Sequence, residues 1–553
     1  MKAPLPRRKI FKTPRLLMPD AYTIGSDEFE SEPAKDKSTY YITFRKLLET
    51  IKTGPYTEGD TRYIFNGLAR IIDYLFYEPV THEEIDTTKL FLSTAKVTTK
   101  GLANYSFPEA LWRRVVDEFE GYPPIQIKAF LEGSVVYPNE PAVEIKSTVK
   151  GFGEMAAQFE SKLLMVWAAT EMTTQLEHWL IKLKKMVRKA RPDLTEDEVD
   201  FTGRLMLHNF GDRAGITPEE SEWLGETFLD TFSGTDTFSG AYQAWENAGR
   251  IPGIAVSVKA LAHRNVQSYE KEFDCFRALY NSMENGDIGS FVADCNNFFY
   301  AVEGDQSGTD GSLLSLALES KRTGNGKVVV GRPDSGVAVE QVIWLCKLAV
   351  RWGLYETITI GNKEWKVGTY LKVIEGDGMT WDEMTFIMQE MLKEGLLPWG
   401  WGVPFGVGGG LRNYLKRDNS SAKYALCAVG VNDRPVVKFS ETLGKTTLPG
   451  PFKVLRTPEA LDSKKTILFA NEEGEDTRVI YYEWDGTQDQ PFGEGYIVSN
   501  QPNRKKRISE QLAIMPLSLS TDENHGYPAS DAVRAKRIEL LKEYAPKKLA
   551  QNY

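Results

Sequence analysis

A repeated order of segments between about residues 200 and 417 constrains the fold of this chain more than any other feature. Each repeat has a short apolar run, a turn rich in Gly and Asp, and a stretch of helical character. The repeats are RLMLHNFGDRAG, TFSGTDTFSGAYQAW, IAVSVKALAH, GSFVADCNNFFYAVE, KVVVGRPDSG, YLKVIEGDGMTWDEM and WGVPFGVGGGLRNYL. Short strands that alternate with helices predict parallel βαβ units, and about seven units in series predict a closed or nearly closed barrel. Chemistry in such a barrel lies at the carboxyl ends of the strands, where these glycines and polar residues fall.

The sequence on either side of this region follows other patterns. Before it, the helical pattern YIFNGLARIIDYLF at 63–76 precedes short β-type runs at 123–150 and a long helical stretch that ends near 195. After it come turn-rich β-type runs and a charged terminal helix, DAVRAKRIELLKEY. We therefore expect an α/β protein in which 198–417 form a barrel-like catalytic domain. Residues 1–197 and 418–553 are expected to form the two parts of a second, mixed α+β domain.

Composition excludes several classes of protein. The 67 Lys and Arg residues against 77 Asp and Glu residues give a net charge of −10, which argues against a general nucleic-acid binder. No apolar run approaches the roughly 18 residues that span a bilayer, so we expect a cytoplasmic protein with no membrane partner. The four cysteines form no CxxC pair and the five histidines form no HExxH motif, so a metal centre built on these residues is not expected.

Glycines and acidic residues at the ends of the apolar runs are the first candidates for binding. Three consecutive glycines in FGVGGGLRNYLKRD, at 405–418, precede a helix, where exposed backbone N–H groups bind phosphate and Arg417 two turns on adds charge. GRPDSG supplies Arg332 and Asp334, and VIEGDG supplies Asp377. Two such aspartates suit a ribose diol or a Mg²⁺-bound phosphate. The alternatives are a tight turn for the glycines and an Asx turn for each aspartate.

Three other segments offer groups that could bind or react. LHNFGDRAG places Phe210 beside Arg213, which could stack a flat heterocycle and hold a phosphate. Asp236 in GTDT could accept a hydrogen bond from an amide NH₂ group, and His263 in SVKALAH could be a nucleophile that is phosphorylated. The alternatives are core packing for Phe210, a helix N-cap for Asp236 and a satisfied structural histidine for His263.

Taken in order, HNFGDR, GTDT, SVKALAH, SFVAD, GRPDSG, IEGDG and FGVGGGL with KRD resemble the motif set of the nicotinamide phosphoribosyltransferases. These enzymes belong to the type II phosphoribosyltransferase family, together with the nicotinate phosphoribosyltransferases. The resemblance runs from PDAYT near residue 20 to Lys438. It implies transfer of a 5-phosphoribosyl group from phosphoribosyl pyrophosphate (PRPP) to nicotinamide, giving nicotinamide mononucleotide and pyrophosphate. Nicotinate is the alternative acceptor, which Asp236 disfavours because its carboxylate would repel the carboxylate of the substrate.

The resemblance also implies a role for each residue that matches a family motif. The nicotinamide ring would be stacked by Phe210 and by Tyr22 of the partner subunit, and its carboxamide would be bound by Asp236 and Arg332. The tunnel behind the ring would be lined by Ser257, Val258, Ala260, Ser290 and Ile374. The ribose would be held by Asp334, Gly376 and Asp377. The 5-phosphate would be bound by Gly408, Gly409 and Arg417, and the pyrophosphate by Arg213, Arg45, Lys423 and Lys438.

Catalysis and regulation are implied in the same way. His263 matches the family's phosphorylated histidine, through which ATP hydrolysis favours product formation, and Asp294 matches its supporting carboxylate. These two residues, with Arg332 and Asp334, are the expected catalytic residues. The resemblance further implies Mg²⁺ bound to PRPP or pyrophosphate near Asp334, and a homodimer with shared active sites. The chain departs from the family's usual residues at Asn209, Asp212, Lys259 and Ala262.

Overall fold

The computed structural model describes residues 13–46, 56–94, 107–305, 310–402, 404–412, 415–440, 446–519 and 528–544. The chain divides into two compact units. Unit 1 contains Met1–Ile51, Glu58–Glu171 and Lys416–Tyr553, and unit 2 contains Lys52–Thr57 and Met172–Leu415. Within the described ranges, no helix has both the length and the apolar character that a membrane crossing needs.

The strands, in chain order, are β1 (Ser38–Thr43), β2 (Tyr63–Ile64), β3 (Ile125–Ala129), β4 (Val135–Val136), β5 (Val143–Ser147), β6 (Leu207–Asn209), β7 (Gly234–Thr235), β8 (Lys259–Ala260), β9 (Ile288–Val292), β10 (Val328–Arg332), β11 (Tyr355–Ile360), β12 (Lys363–Gly368), β13 (Leu371–Val373), β14 (Phe405–Val407), β15 (Lys423–Val429), β16 (Arg434–Pro435), β17 (Phe452–Val454), β18 (Ile467–Phe469) and β19 (Val479–Glu483).

The α-helices, in chain order, are α1 (Ala21–Ile24), α2 (Glu32–Asp36), α3 (Leu68–Phe76), α4 (His82–Thr94), α5 (Glu109–Phe119), α6 (Glu160–Leu163), α7 (Val166–Ala190), α8 (Glu196–Arg204), α9 (Pro218–Phe228), α10 (Phe238–Asn247), α11 (His263–Gln267), α12 (Glu272–Ser282), α13 (Phe298–Glu303), α14 (Leu313–Thr323), α15 (Ala338–Arg351), α16 (Trp381–Lys393), α17 (Gly409–Arg412), α18 (Arg417–Ser420), α19 (Pro458–Asp462), α20 (Glu494–Ile497), α21 (Gln501–Ile514) and α22 (Asp531–Tyr544).

The strands of unit 2 form two parallel sheets, in the orders β13-β10-β9-β8 and β14-β6-β7. Two single parallel bridges, Gly234 with Val256 and Glu375 with Phe405, join the edges of one sheet to the edges of the other. Val256 lies three residues before β8, and Glu375 lies two residues after β13. Seven parallel strands therefore follow one another around a ring. This α/β arrangement is the barrel-like core that the segment pattern predicts.

Buried apolar side chains from the surrounding helices pack against this ring in one continuous core. Part of α7 belongs to that core, because Met172, Leu176 and Trp179 are buried in it and the Trp179 ring lies 5.6 Å from that of Trp381. For this reason unit 2 begins at Met172, inside α7, whereas the sequence interpretation starts the domain at 198. Helix α8 then begins with a capping box, in which Thr195 and Glu198 satisfy each other's backbone N–H groups.

Unit 1 is built on a six-stranded sheet in the order β16-β15-β1-β5-β3-β19. Its ladders β1 with β15, β1 with β5, β3 with β5 and β19 with β3 are antiparallel. Strands from the two ends of the chain are thus hydrogen-bonded neighbours, which makes the N- and C-terminal parts one mixed α+β unit.

One helix prediction is wrong at its start. The pattern at 63–76 predicts a single helix that includes Ile64, but Tyr63 and Ile64 form β2 and pair with β4. The helix α3 begins at Leu68, after Gly67, whose φ of 91° lies in the left-handed region. This glycine allows the chain to leave the strand and turn into the helix.

Candidate active site

The carboxyl ends of β8, β9 and β10 bring together the four residues expected to be catalytic. His263 begins α11 just after β8, Asp294 follows β9 by two residues, and Arg332 ends β10. Asp334 comes two residues after Arg332. Because these three strands are adjacent and parallel, the four side chains lie at one edge of the sheet.

His263 is the centre of this group. Its Nε2 lies 3.0 Å from Oδ1 of Asp294 and 3.7 Å from Oδ2 of Asp334. The second oxygen of Asp294 accepts a hydrogen bond from the Ser335 hydroxyl at 2.6 Å. The imidazole is half-buried, whereas the Asp294 side chain is 9% exposed. Two carboxylates therefore face one ring nitrogen, and one of them is held in place by a hydroxyl, an arrangement that orients the imidazole.

Arg332 lies beside the same histidine. Its Nη2 donates to the carbonyl of Leu261 at 3.0 Å, and its Nε lies 3.9 Å from Oδ1 of Asp334. The buried Nε has no hydrogen-bond partner within the described part of the chain. Since a buried N–H group normally has an acceptor, this Nε is a donor suited to a carbonyl oxygen of a bound molecule.

The ring of Phe210 occupies space that two glycines leave open. A Cβ at Gly406 would lie 2.0 Å from the Phe210 ring, and a Cβ at Gly376 would lie 2.8 Å from it. Gly406 belongs to β14, and the backbone N–H of Phe210 donates to Val407 of the same strand at 3.0 Å. The aromatic side chain is thus fixed against two adjacent strand ends.

Asp236 lies next to Phe210 along the sheet edge. Its backbone N–H donates to the carbonyl of Asn209 at 3.0 Å, and its Oδ1 accepts from the Ser257 hydroxyl at 2.5 Å. Burial lowers the pKa of the neighbouring His208, and the charge of Asp236 opposes that shift. The Ser257 hydroxyl orients the carboxylate without occupying its second oxygen.

The remaining residues expected around a ring lie on the same strands. Ala260 pairs with Ser290 across β8 and β9, and Ile374 donates its N–H to Gly331 of β10 at 3.1 Å. Ile374 and Ser290 are buried, and the Ser290 hydroxyl has no hydrogen-bond partner among the described residues. Val258 is 37% exposed and stands one residue before β8.

The loop after β13 contains a residue that sequence reasoning missed. Glu375 is 1% exposed, and its Oε1 accepts from the backbone N–H groups of Gly376 at 2.9 Å and Asp377 at 3.1 Å. Burial raises the pKa of Glu375 to about 7, helped by the charges of Asp377 and Asp334 and opposed by the two hydrogen bonds. Glu375 lines a cleft of about 410 Å³ with Asp377 and Ser335. The motifs VIEGDG and RPDSG contain Glu375 and Ser335, so the signal was a polar residue within two positions of each selected aspartate.

The glycine loop after β14 differs from its prediction. Helix α17 is described over Gly409–Arg412, and residues 413 and 414 lie outside the described ranges. Leu415 and Lys416 are not helical and Arg417 begins the separate helix α18, so Arg417 does not lie two turns along the helix that starts at the glycines. Gly408 lies beside the Phe210 backbone, since a Cβ there would be 3.2 Å from the Phe210 carbonyl oxygen, and space around Gly409 is open. Arg213, which follows Phe210, is exposed.

The other expected phosphate ligands belong to unit 1, where they form a cluster of cations. Burial lowers the pKa of Lys423, the charge of Glu160 opposes that shift, and the positive charges of Lys438, Arg45 and Arg417 lower the pKa further. Such mutual repulsion is relieved when an anion binds among the cations. Tyr22, also in unit 1, is 72% exposed, and its hydroxyl donates to Asp20 at 3.2 Å.

The four departures from the family's usual residues have local structural roles. Asn209 accepts from the N–H of Gly211 at 2.7 Å, and Asp212 accepts from the hydroxyl of Ser239 at 3.0 Å. The amine of Lys259 donates to the Ser282 carbonyl at 2.6 Å. Ala262 is the N-cap residue of α11 and provides no side-chain acceptor. The histidine that follows it is therefore oriented by residues from β9 and β10 rather than by its own neighbour.

No group of three or more His, Cys, Asp or Glu side chains is placed to hold a metal ion within the described ranges.

Comparisons with known proteins agree with this architecture. Residues 205–472 match the nicotinate phosphoribosyltransferase (NAPRTase) family. The chain is 28% identical over 447 residues to a nicotinamide phosphoribosyltransferase of Xanthomonas campestris pv. campestris, covering 80% of this chain and 87% of that protein. It is 24% identical over 317 residues to a nicotinamide phosphoribosyltransferase of Acinetobacter baylyi, covering 54% of this chain and 60% of that protein.

Among solved structures, human nicotinic acid phosphoribosyltransferase aligns with a TM-score of 0.54 at 14% identity, covering 96% of this chain and 100% of that chain. That likeness concerns the fold, and it spans both units. The matched family segment contains the whole ring of strands from β6 to β14 together with His263, Asp294, Arg332 and Asp334. Residues 205–472 thus form a nicotinate phosphoribosyltransferase (NAPRTase) family domain, and the protein that contains it is a phosphoribosyltransferase, an enzyme of the pentosyltransferase class.

Proposed function

We propose that this enzyme transfers the 5-phosphoribosyl group of PRPP to nicotinamide, giving nicotinamide mononucleotide and pyrophosphate in the salvage of NAD. The observation that carries the proposal is the pairing of Asp236 with Ser257 beside the fixed ring of Phe210. A nicotinamide ring stacked on Phe210 would find a carboxylate acceptor at the edge of the stack. The two bacterial relatives that bear this name support the same acceptor.

The preference for nicotinamide over nicotinate follows from charge. The carboxamide of nicotinamide has an NH₂ donor and a carbonyl acceptor, which match the Asp236 carboxylate and the Arg332 Nε. Nicotinate would instead bring a second carboxylate against Asp236. Nicotinate remains the second candidate, because the family includes enzymes named for it and Arg332 suits a carboxylate equally well.

The reaction needs no general base. The lone pair of the pyridine nitrogen attacks C1 of the ribose, the bond from C1 to the pyrophosphate oxygen breaks, and pyrophosphate leaves with the electron pair. Since positive charge develops at C1, the carboxylates of Asp334 and Asp377 would stabilise it and hold the ribose hydroxyls. Catalysis then depends on positioning and on neutralising the leaving group.

The phosphates of PRPP require positive charge and open backbone. Arg213, Arg45, Lys423 and Lys438 would neutralise the pyrophosphate, several of them reaching across a dimer interface, and Gly408 and Gly409, with Arg417, would bind the 5-phosphate. Mg²⁺ would enter bound to PRPP and shield its charge near Asp334. The enzyme would be a homodimer in which Tyr22 of the partner subunit closes the nicotinamide site. A cytoplasmic location belongs to the same proposal and is compatible with the four free cysteines.

ATP is the proposed stimulating co-substrate. In this scheme His263 attacks the γ-phosphorus of ATP, the bond to ADP breaks, and later hydrolysis of the phosphohistidine favours product formation. The carboxylates of Asp294 and Asp334 beside Nε2 would orient the ring so that its other nitrogen can attack.

The test is nucleotide formation from PRPP and Mg²⁺, with nicotinamide and nicotinate in parallel and each with and without ATP. We expect product from nicotinamide, and we expect His263→Ala to remove the ATP stimulation while product still forms. Asp236→Asn should increase the use of nicotinate, with Asp212→Asn as a nearby control that keeps the acceptor preference. Product from nicotinate alone would assign the second candidate, and no product from either base would refute the proposal.

A further inference from the structure

The four-cation cluster of unit 1 is organised around one turn. This turn, residues 416–421 with the sequence KRDNSS, carries Arg417 and leads directly into Lys423 at the start of β15. The turn closes on itself, since Asn419 donates its N–H to the Lys416 carbonyl at 2.8 Å and Ser421 donates to that of Arg417 at 2.9 Å.

The same turn holds Arg45. The Ser420 carbonyl accepts the backbone N–H groups of Arg45 at 2.8 Å and of Lys46 at 3.1 Å. The Arg45 guanidinium donates from Nε to the Ser421 carbonyl and from Nη2 to the Ser421 hydroxyl, both at 3.0 Å. Two of the four cations are therefore placed by the geometry of this one turn, and Lys423 lies two residues beyond it.

A buried carboxylate lies under the turn. Glu171, on α7, is fully buried, and its Oε1 accepts the backbone N–H of Ser420 at 2.9 Å. The Ser420 hydroxyl and the Lys416 backbone N–H also stabilise its charged form. Ser420 is itself fully buried, and Oε2 of Glu171 has no hydrogen-bond partner in the described ranges. One side chain thus fixes both the first residue of the turn and the residue that binds Arg45.

We infer that Glu171 is a positioning residue for phosphate binding: it anchors the 416–421 turn from inside unit 1 so that Arg417 and Arg45 point their charges at one anion beside Lys423. The inference rests on the proposed function, because that function supplies the anion, the diphosphate or phosphate of PRPP. Glu171 is not expected to touch the substrate.

The chemistry of the anchor explains why a carboxylate is required. Backbone N–H groups bound to an ionised acceptor form stronger hydrogen bonds than those bound to a neutral one. Burial raises the pKa of Glu171 to about 7, while the hydrogen bonds from Ser420 and Lys416 and the charge of Lys46 act in the opposite direction.

Glu171→Ala and Glu171→Gln test the inference. The alanine variant loses the acceptor, and we expect its KM for PRPP to rise about tenfold or more, which corresponds to the loss of one charge-assisted hydrogen bond. Its KM for nicotinamide, measured at saturating PRPP, should change less than about twofold. The glutamine variant keeps a neutral oxygen and should fall between the alanine variant and the native enzyme.

A matched control is Glu140→Gln. Glu140 is also a fully buried carboxylate of unit 1, and it is paired with Arg456 at 2.6 Å rather than with the turn. We expect this control to lower thermal stability without a selective effect on PRPP. If Glu171→Ala folds and keeps the native KM for PRPP, or if it changes the KM values of both substrates equally as a stability defect would, the inference is wrong.

A direct binding measurement separates this inference from the proposed function. Calorimetric titration with Mg²⁺-pyrophosphate requires no turnover, and the Glu171→Ala enzyme should bind it about tenfold more weakly than the native enzyme and the Glu140→Gln control. Weaker binding in an enzyme that uses neither base would support the anchor while refuting the proposed function. Equal pyrophosphate binding by native and Glu171→Ala proteins would refute the anchor whatever the acceptor.

Discussion

Gly406→Ala offers a sharp test of how the ring site is built. The added Cβ would lie 2.0 Å from Cε2 and 2.1 Å from Cδ2 of Phe210. Carbon atoms in contact normally stand about 3.5–4.0 Å apart, so the ring must move by about 1.5 Å or more. The backbone of β14 cannot move instead without loss of the 2.7 Å hydrogen bond from Gly406 to the Glu375 carbonyl.

Two effects of different size follow from that displacement. Overpacking of this kind costs about 1–3 kcal/mol, which lowers the melting temperature by about 2–10 °C for a unit of this size. Loss of the stack between Phe210 and the pyridine ring removes about 0.5–1.5 kcal/mol, so the KM for nicotinamide should rise about 2- to 13-fold. The KM for PRPP should stay within about twofold of the native value.

The assay combines steady-state kinetics and thermal melts on Gly406→Ala, Phe210→Ala and the double variant. Without the Phe210 ring, the alanine at 406 has nothing to displace, so the double variant should be no less stable than Phe210→Ala alone. Gly409→Ala, where the added Cβ meets nothing within 4 Å, is the control for stability. Additive losses of stability in the double variant would show that the two residues do not compete for space, and the account of the ring site would be refuted.

Three other changes have expected outcomes. Burial raises the pKa of Glu375 from 4.5 to about 7. Ionisation of Glu375 therefore destabilises the fold progressively as the pH rises from about 4.5 to 7, by about 3 kcal/mol in all. The melting temperature of Glu375→Gln, relative to that of the native protein, should consequently increase between pH 5 and pH 8. Gly153→Ala would put a Cβ 1.8 Å from the Ala34 carbonyl oxygen, and we expect a loss of about 3 kcal/mol in urea unfolding. Ser335→Ala removes the 2.6 Å hydrogen bond to Asp294, so the ratio of rates with and without ATP should fall at least about twofold. An unchanged ratio would exclude a role for Ser335 in orienting that carboxylate.

The positions of most strands of unit 2 along the sequence were predictable, because each strand is followed by the residues that end it. Apolar runs and Gly/Asp turns are properties of neighbouring residues, and they locate β6, β7, β9, β10, β13 and β14 without knowledge of the tertiary fold. The closure of the ring was less accessible, since it depends on single bridges at Val256 and Glu375, outside the regular strands. The hairpin of β11 and β12 was missed, although the alternating YETITIGNKEWKVG with its central Gly-Asn is a hairpin signal.

The residue at which α7 divides between the two units depends on tertiary packing. Helix α7 reads as one amphipathic segment, yet residues from Met172 onward bury their apolar face in the core of unit 2. The three glycines at 408–410 are predicted to lead into a helix, and α17 begins at the second of them, Gly409. The sequence LRNYLKRD contains no Gly or Pro that would indicate the non-helical residues Leu415 and Lys416 before Arg417.

Two of the buried glutamates, Glu375 and Glu171, illustrate what sequence reasoning cannot reach. Glu375 accepts the backbone N–H groups of Gly376 and Asp377, and Glu171 accepts that of Ser420. Both therefore hold loops that carry proposed ligands rather than binding a ligand themselves. A glutamate in a strand or a helix is ordinarily read as solvent-exposed, and only the tertiary fold shows that these two are buried. Burying a carboxyl group is unfavourable, as the raised pKa values of both show, so the benefit must lie in the loops it orders. One side of each loop must stay accessible, because its backbone N–H groups or its cations bind a polyanion there. A buried acceptor on the opposite side orders the loop and leaves the binding side open.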